Sequence, residues 1–397
     1  MKMLLFNFLV TVFSGFILRL NIVVGILGVT HKFLLESHSH FAFYGWLAQC
    51  IYVFAWRHLK QKTGRELNVF RWILTLNLVA SYGMLFTFFW YGYYWLSIVF
   101  SSIALFTGIF YGVTLFKNTR QSTGPETIWL RAGAIFAAVS SFGIGGIAYA
   151  SHKPELETLF RAATYFYLHF QYNGFFIFSA IGIFFTVLKN THRRHFPINT
   201  NLFLLLFVSS VITYGLSLLW MDLDSMLLNA LKIVGIIQFA GSVLLVLLLR
   251  QRCIKSLKYT LPASLFLWIF TCAFILKFFL QMIAPFESFR IFAAQDRASI
   301  IAFLHLVLLP CLSVFFLWLI LKELNISDEL KRPANIVAGG IVMNQIMLGA
   351  DVAVNYFQVA IPKTKETELM ISIVIFISFG MLMYKAVKRK PQPMYLS

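Results

Sequence analysis

Apolar stretches of about 20 residues follow one another along the whole chain, and this feature leaves few folds open. Each stretch is long enough to cross a hydrocarbon core of about 30 Å as an α-helix. Only 12% of the 397 residues are charged, and the mean hydropathy is +0.79, whereas a soluble domain carries about a quarter charged residues. The chain is therefore predicted to be an all-α, polytopic membrane helical bundle.

The hydropathy pattern predicts about twelve transmembrane helices joined by short loops. The predicted spans are residues 4–29, 38–57, 70–90, 93–116, 128–150, 162–188, 200–220, 229–249, 260–284, 298–321, 335–358 and 369–385. The loops leave no room for an inserted soluble domain. We therefore expect residues 1–390 to form a single transmembrane domain and residues 391–397 to form a short cytoplasmic tail.

The basic residues gather at one side of the predicted membrane. If the first end is cytoplasmic, 23 of the 33 Lys and Arg residues fall in inner segments, 7 in outer segments and 3 inside spans. This is the positive-inside distribution, so the net charge of +18 reports topology and not a nucleic-acid partner. We expect both termini in the cytoplasm and the lipid bilayer of a bacterial inner (plasma) membrane as the partner.

The cysteines give no sign of covalent cross-links or covalent cofactors. Cys50, Cys253, Cys272 and Cys311 show no paired spacing, and Cys253 falls on an inner loop where thiols stay reduced. Neither disulfides nor a thiolate metal site are expected. The sequence contains no C-x-x-C-H attachment motif, so any haem is expected to bind non-covalently.

Eight ionisable side chains fall at nearly one depth in the outer half of the predicted bundle. They come from seven helices and lie within about 5 Å of one another in depth, at a rise of about 1.5 Å per residue. They are Arg19, His38, His40, His169, Lys232, Lys277, His305 and Asp351. Ionisable residues inside a span are costly and by default mark function, which predicts a shared polar site. The alternative interpretation is that neighbouring helices or the outer interface satisfy each residue separately.

The histidines and cations of this layer suit a haem site. Neutral imidazole is the commonest metal ligand and the usual axial ligand of haem iron. Arg19 and Lys277 are candidates to neutralise haem propionates, which need cationic partners in a low-dielectric setting. An ion pair of Asp351 with either cation is an equally good, purely structural interpretation.

The second span opens with the sequence HSHFAFYGW at residues 38–46. On an α-helix, residues i and i+2 point about 200° apart, so His38 and His40 cannot hold one metal together unless the helix begins between them. One histidine is a candidate ligand, and the other is a candidate contact to a propionate or to water. Gly45 would allow a flat macrocycle or a helix to approach closely.

Two further histidines lie in apolar helices. The sixth span carries YFYLHFQYNG at residues 165–174, and the tenth carries AFLHLVLLP at residues 302–310. His169 is either a ligand or a core residue bonded to Tyr165 or Asn173, one turn away. His305 leaves the same two interpretations open, with Pro310 loosening the turn that follows it.

Twelve spans with histidines in the second, sixth and tenth helices resemble the haem-copper oxidase superfamily. The resemblance covers the whole chain by span order, and by motif only these three segments. It implies that His38 or His40 is the ligand of a low-spin haem. It also implies that His169 is the copper-side ligand and that His305 is a haem ligand.

The sequence departs from the oxidases at their oxygen-reducing centre. Oxidases with a full binuclear centre have a His-His pair in the seventh helix, but residues 200–220 contain no histidine. The tenth helix offers one histidine in place of two, and Asn173 replaces the tyrosine one turn after the sixth-helix histidine. The chain is therefore more similar to shortened relatives such as the NnrS-type membrane proteins of the nitric oxide response. That resemblance implies haem and copper binding without respiratory oxidase activity.

The leading prediction is a membrane protein that binds haem, copper or both, and acts in respiratory oxygen or nitric oxide chemistry or response. In a catalytic version, a small diatomic ligand would bind between a haem on His305 and copper on His169, and whether the chain is an enzyme stays open. The alternative is a secondary transporter with an intramembrane Arg19, Lys277 and Asp351 site, since many spans and Gly-rich breaks suit alternating access. A third interpretation is a partner or assembly factor of a respiratory complex.

Overall fold

The chain folds into helices throughout the part that the structure, a computed structural model, describes. This part comprises all residues except 27, 193–198, 258–260, 325–327, 360–362 and 389–397. Its residues include no strand, and eleven of its helices are long and apolar enough to cross a membrane. The chain is therefore a multi-pass membrane protein, and the predicted all-α helical bundle is confirmed. The predicted tail, residues 391–397, lies outside the described residues.

Thirteen helical segments follow one another within the described ranges, and all but one of them are long. They are α1 (Lys2–Val24), α2 (residues 31–63), α3 (Asn68–Tyr91), α4 (Trp95–Asn118), α5 (Pro125–Ala150), α6 (residues 154–192), α7 (Thr200–Leu218), α8 (Ser225–Leu257), α9 (Leu261–Ile283), α10 (Glu287–Gln295), α11 (Arg297–Glu323), α12 (Asp328–Phe357) and α13 (Thr364–Lys388). The sequence pattern does not predict α10, because its nine residues are too few to form a span.

Most predicted span ends differ from the observed helices by a few residues, and the two ends of the chain are examples. The first span was expected to reach residue 29, but α1 ends at Val24 because Gly25 and Gly28 adopt positive φ angles of 72° and 79°. Such angles suit glycine and end a right-handed helix. At the other end of the chain, α13 continues three residues past the predicted end at 385.

The helix α2 is long enough to span but is not among the eleven apolar helices. The reason is its environment. Every residue from 43 to 55 is buried, and the polar side chains of Ser37, Gln49 and His58 are buried as well. A helix that faces protein on all sides can keep polar residues that a lipid-facing helix cannot. A mean-hydropathy criterion therefore misses α2 as a membrane-spanning helix.

The helices α2, α6 and α11 occupy the centre of the bundle. In their most apolar stretches, 83% of the residues of α6 and 61% of those of α11 are buried, against 28–39% in the other candidate spans. Around this centre, helices that are neighbours in space form three arcs. The arcs run α12–α13–α1–α2, α3–α4–α5–α6 and α7–α8–α9–α11, so each arc ends in one of the central helices.

Each central helix contains a π-helical segment that begins directly after, or two residues after, a histidine of the outer layer. The segments are Phe41–Ala48 after His40, Phe170–Phe176 after His169 and Val307–Ser313 after His305. Such widened turns are rare and occur frequently at functional sites. They also rotate the following residues relative to an unbroken α-helix. A regular period of 3.6 residues therefore does not predict which side of the helix those residues face.

Side chains from neighbouring helices satisfy the backbone of the π segment in α2. The Nδ2 amide of Asn7 in α1 donates to the Gly45 carbonyl at 2.6 Å, and the Nδ2 amide of Asn77 in α3 donates to the Tyr44 carbonyl at 2.9 Å. Buried carbonyls in a membrane interior need such partners because no water is available. These two asparagines therefore stabilise the altered turn.

The π segments of α2 and α11 are joined directly. Pro310 lacks the N–H that a regular turn would use, and the hydroxyl of Ser313 donates to the Leu308 carbonyl at 2.6 Å. The Trp46 indole N–H donates to the oxygen of Ser313 at 2.8 Å. One buried chain of hydrogen bonds thus connects α2 to the interrupted turn of α11.

Candidate functional site

The eight ionisable residues of the outer layer do not form one site. Arg19, His38 and His305 lie together, and His169 lies near Lys277. Asp351 belongs to an ion-pair network that also reaches Arg19. His40 faces different neighbours, and Lys232 donates to Asn229 on its own helix at 3.3 Å.

His38 points towards α1. Its Nδ1 atom lies 2.8 Å from Oγ of Ser14, and Ser14 donates its only hydroxyl proton to the Thr11 carbonyl at 2.9 Å. With the Ser14 hydroxyl proton directed at the Thr11 carbonyl, the hydroxyl oxygen accepts a hydrogen bond from Nδ1–H of His38, and the imidazole lone pair lies on Nε2. The ring lies against Gly15, where a Cβ atom would be 3.2 Å from Cε1 of His38.

His305 approaches His38 from α11. The two rings lie within electrostatic range of each other, and the Arg19 guanidinium lies within that range of both. Nδ1 of His305 lies 2.9 Å from the Ile301 carbonyl. Because a carbonyl can only accept, Nδ1 carries the proton and Nε2 carries the lone pair. The hydrogen bonds to Ser14 and to the Ile301 carbonyl are both made by Nδ1, and the His38 ring is also hydrogen-bonded to the Thr11 backbone.

His38 and His305 are less buried than His169. Both are surrounded by protein, yet both are only half-buried. Close-packed protein interiors leave a core ring almost no accessible surface, and His169 follows that rule with 1% exposure. His38 and His305 therefore keep accessible surface that a fully packed core residue such as His169 lacks.

His40 faces the opposite side of α2. Its Nδ1 donates to the Glu36 carbonyl at 2.8 Å, and its ring stacks on Phe88 of α3 with the centroids 4.1 Å apart. Tyr93 lies edge-on to the same ring at 6.0 Å. The two histidines of the H-x-H pair thus contact different helices, as their spacing of two residues requires.

His169 uses both of its ring nitrogens within the protein. Nε2 donates to the Ser210 carbonyl at 2.8 Å, so Nδ1 is the acceptor. Nδ1 receives the Asn173 amide at 3.1 Å and the Ser217 hydroxyl at 3.4 Å. In this arrangement neither nitrogen has a lone pair free for a metal, and copper ligation would require the ring to break these bonds.

Lys277 is buried with 1% exposure and lies near His169 and the Cys311 thiol. Its Nζ atom lies 3.6 Å from the centroid of the Phe278 ring. Among the described residues, no carboxylate lies within ion-pair distance of this ammonium. The expected pairing of Lys277 with Asp351 is therefore not formed.

Asp351 pairs instead with a residue that the sequence interpretation did not include. It forms an ion pair with Lys365, which also lies 3.2 Å from Glu368. Arg19 donates to the Glu368 carbonyl at 2.8 Å and lies 3.7 Å from its carboxylate. The network connects α1, α12 and α13. Glu368 lies one residue before the predicted span 369–385, so the sequence pattern provided no signal for it as an intramembrane residue.

The glycine that matters for the site is not the expected one. The open side of Gly45 is filled by the Phe41 ring of the same helix, where a Cβ atom would lie 2.7 Å from Cε2. Gly45 therefore offers no surface to a macrocycle. Gly15 is the glycine against which a site histidine packs, and an isolated Ser14-Gly15 pair in an apolar helix gave only a weak signal.

The donor atoms at His38 and His305 fit haem better than they fit copper. Two imidazoles from different helices, with Nδ1 of each engaged by the protein, are the ligand type that haem iron takes. A copper site needs three or four ligands, and in the described part of the chain no three His, Cys, Asp or Glu residues come together. His169 as a copper ligand stays a prediction.

The fold and these contacts define a multi-pass helical membrane protein in which His38 and His305 form a histidine cluster between α2 and α11. Comparisons of the chain with protein families and with curated proteins find no match.

Proposed function

We propose that this protein binds one haem non-covalently, with His38 and His305 as the two axial ligands. The observation that carries the proposal is the pairing of these rings across α2 and α11, each with Nδ1 engaged by the protein. A hydrogen bond from Nδ1 to the protein fixes the tautomer of a ligating histidine and raises its basicity. His38 is the ligand of the H-x-H pair in this proposal because His40 faces Phe88, where no second imidazole lies.

Bound haem would supply reversible one-electron chemistry. With His38 and His305 both as ligands, the haem would suit electron transfer better than capture of a diatomic ligand. The chain would contribute the two ligands and their orientation, which the hydrogen bonds of Nδ1 to Ser14 and to the Ile301 carbonyl fix. The resemblance to shortened haem-copper oxidase relatives supports a role in respiratory oxygen or nitric oxide chemistry or response.

Arg19 is the cation best placed to serve the haem propionates. It lies within electrostatic range of both rings, and a guanidinium has five N–H donors, of which the Glu368 carbonyl takes one. Lys277, in α9, lies near His169 of α6 and not near His38 or His305, so it is a weaker candidate for this role. His169 supports α6 through its own hydrogen bonds and is not assigned a copper ion here.

The second candidate function is secondary transport. The observation in its favour is the network of Arg19, Asp351, Lys365 and Glu368, which joins three helices in the outer half. Against it, Lys277 does not join this network, so the predicted Arg, Lys and Asp site is divided. A partner in a respiratory complex is compatible with either function. The basic excess at one end favours an inner-membrane protein with both termini in the cytoplasm.

The test is the haem content of protein purified in mild detergent after expression with ample haem and copper. We expect about one haem per chain in the wild type, with a Soret band, and none in the His38→Ala/His305→Ala double variant. The His31→Ala/His152→Ala double variant removes two histidines elsewhere and should keep the haem. His169→Ala should keep it too, because His169 already has partners at both nitrogens.

Colourless wild-type protein would refute haem binding and favour transport. Haem retained in the His38→Ala/His305→Ala variant would refute this ligand assignment. Copper that co-purifies with the wild type but not with His169→Ala would restore the copper prediction.

A further inference from the structure

A basic cleft lies at the end of the bundle opposite to the histidine cluster. It has a volume of about 800 Å³ and opens between the ends of α2, α4 and α6 and the start of α5. Its charged lining residues are Lys62, Lys117, Arg120, Glu126 and Lys189. The haem proposal uses none of them.

The cleft has more positive charge than its single acid can balance. Lys189 forms an ion pair with Glu126 at 2.6 Å. Lys62, Lys117 and Arg120 have no ion pair within the described residues. Burial lowers the pKa of Lys62, Glu126 raises it, and Lys189 lowers it further. Like charges gathered in one concave site create a positive potential that attracts an anion.

The loop that forms one wall is held in place before any ligand arrives. Arg131 donates from Nε to the Thr119 hydroxyl at 2.9 Å and also donates to the Thr119 carbonyl. Ser122 bonds the Thr127 hydroxyl at 2.9 Å, which ties the loop to the first turn of α5. Thr119 is only 1% exposed. A fixed wall lowers the entropy cost of binding.

The start of α5 does not itself provide the anion site. The Glu126 carboxylate folds back on its own backbone N–H, and a Cβ atom on Gly124 would lie 2.5 Å from its Oε1. The positive end of the helix dipole is therefore already occupied by Glu126. A ligand must bind through the ammonium and guanidinium groups along the wall of the cleft.

We propose that this cleft binds a phosphate group, carried either by an anionic lipid headgroup or by a free phosphate. Arg120 would offer a planar pair of donors, and Lys62 and Lys117 would act as point charges on the remaining oxygens. A lipid is a natural source because the cleft lies where helices end, at the face with the basic excess. The hydroxyls of Ser122 and Thr123 complete the polar lining.

The test uses the full-length protein and two double variants with equal charge changes. Lys117→Gln/Arg120→Gln alters the cleft, and Arg65→Gln/Arg71→Gln removes two exposed cations just before and at the start of α3, at the same end. Native mass spectrometry after reconstitution in vesicles of phosphatidylglycerol and phosphatidylcholine measures retained anionic lipid. A titration with inorganic phosphate measures the shift in melting temperature. All four residues are exposed, so both variants should fold.

Retention of phosphatidylglycerol by the wild type and control variant, reduced about tenfold in the cleft variant, would support a lipid headgroup. A phosphate-dependent rise in melting temperature, lost only in the cleft variant, would support a free phosphate. If the cleft and control variants behave alike in both measurements, the proposal is overturned. The haem content should be the same in all three proteins, so this result is independent of the haem assignment.

Discussion

Oγ of Ser14 lies 2.8 Å from Nδ1 of His38 and accepts a hydrogen bond from it, so a residue of α1 sets the tautomer of a histidine in α2. His305 has the same tautomer, because its Nδ1 donates to the carbonyl of Ile301 on its own helix. The two rings therefore present equivalent nitrogen atoms although their supports differ. The contact to His38 comes from a side chain that a substitution can remove, whereas the Ile301 carbonyl belongs to the backbone, so Ser14 is the residue to test.

Replacement of Ser14 should tune the haem without removing it. In Ser14→Ala the Nδ1 proton of His38 loses its acceptor, so the imidazole becomes a weaker electron donor. We expect the reduction potential of the haem to rise by on the order of tens of millivolts with little change in haem content. A redox titration followed at the Soret band measures the shift. Ser102→Ala, on the lipid-facing part of α4, should leave the potential unchanged, and an equal shift there would contradict the account.

Trp46 should contribute strongly to stability through a single polar contact. Trp46→Phe removes the indole donor to Ser313 and leaves unfilled space in a fully buried position. We expect a loss of about 1–2 kcal/mol in the free energy of unfolding. Trp72→Phe is the matched control, because Trp72 is 67% exposed at the bundle surface. Comparable melting temperatures for the two variants would show that the link between α2 and α11 carries no energy.

The variant Lys277→Met distinguishes a Lys277 that holds no ligand from a Lys277 that binds a haem propionate. Lys277→Met replaces a buried ammonium, which has no carboxylate partner among the described residues, by an apolar side chain of similar length. If Lys277 holds no ligand, stability should rise by about 1 kcal/mol or more, with unchanged haem content. Melting temperature and haem content of the same preparation report both quantities. A loss of haem would instead assign Lys277 to a propionate.

Asp296 should make stability depend on pH at the outer end of α11. Burial alone would raise the pKa of Asp296, but hydrogen bonds from Ser299 and Asn355 outweigh burial and lower it. A lowered folded pKa gives stability that is present above the unfolded value of about 4 and is lost as the pH falls through the folded value. The melting temperatures of wild type and Asp296→Ala should therefore differ above about pH 4 and converge below it. A gap that persists at lower pH would contradict this.

Hydropathy and charge placement predicted the helical membrane bundle because lipid requires an apolar surface on each spanning helix. The same reasoning is weakest for α2, whose buried Gln49 and His58 lower its hydropathy without exposing it to lipid. Helix order along the chain does not indicate which helices are central. That assignment depends on packing between arcs, which a single sequence does not display.

The candidate site was only partly predictable for a related reason. A common depth brought His38, His305 and Arg19 into consideration, but depth does not tell which side of a helix a residue faces. The π segments after His40, His169 and His305 shift the helical phase, so face assignments from a regular period fail there. The supporting residues Ser14 and Gly15 are ordinary in an apolar helix and acquire meaning only beside His38.

The most direct test of the haem assignment is the effect of carbon monoxide on the visible spectrum of the reduced protein. The account predicts no change in the wild type, because two imidazoles fill both axial positions. It predicts a carbon monoxide complex in the single variants His38→Ala and His305→Ala, each of which opens one position. A wild-type haem that binds carbon monoxide as fully as these variants would contradict coordination by both His38 and His305.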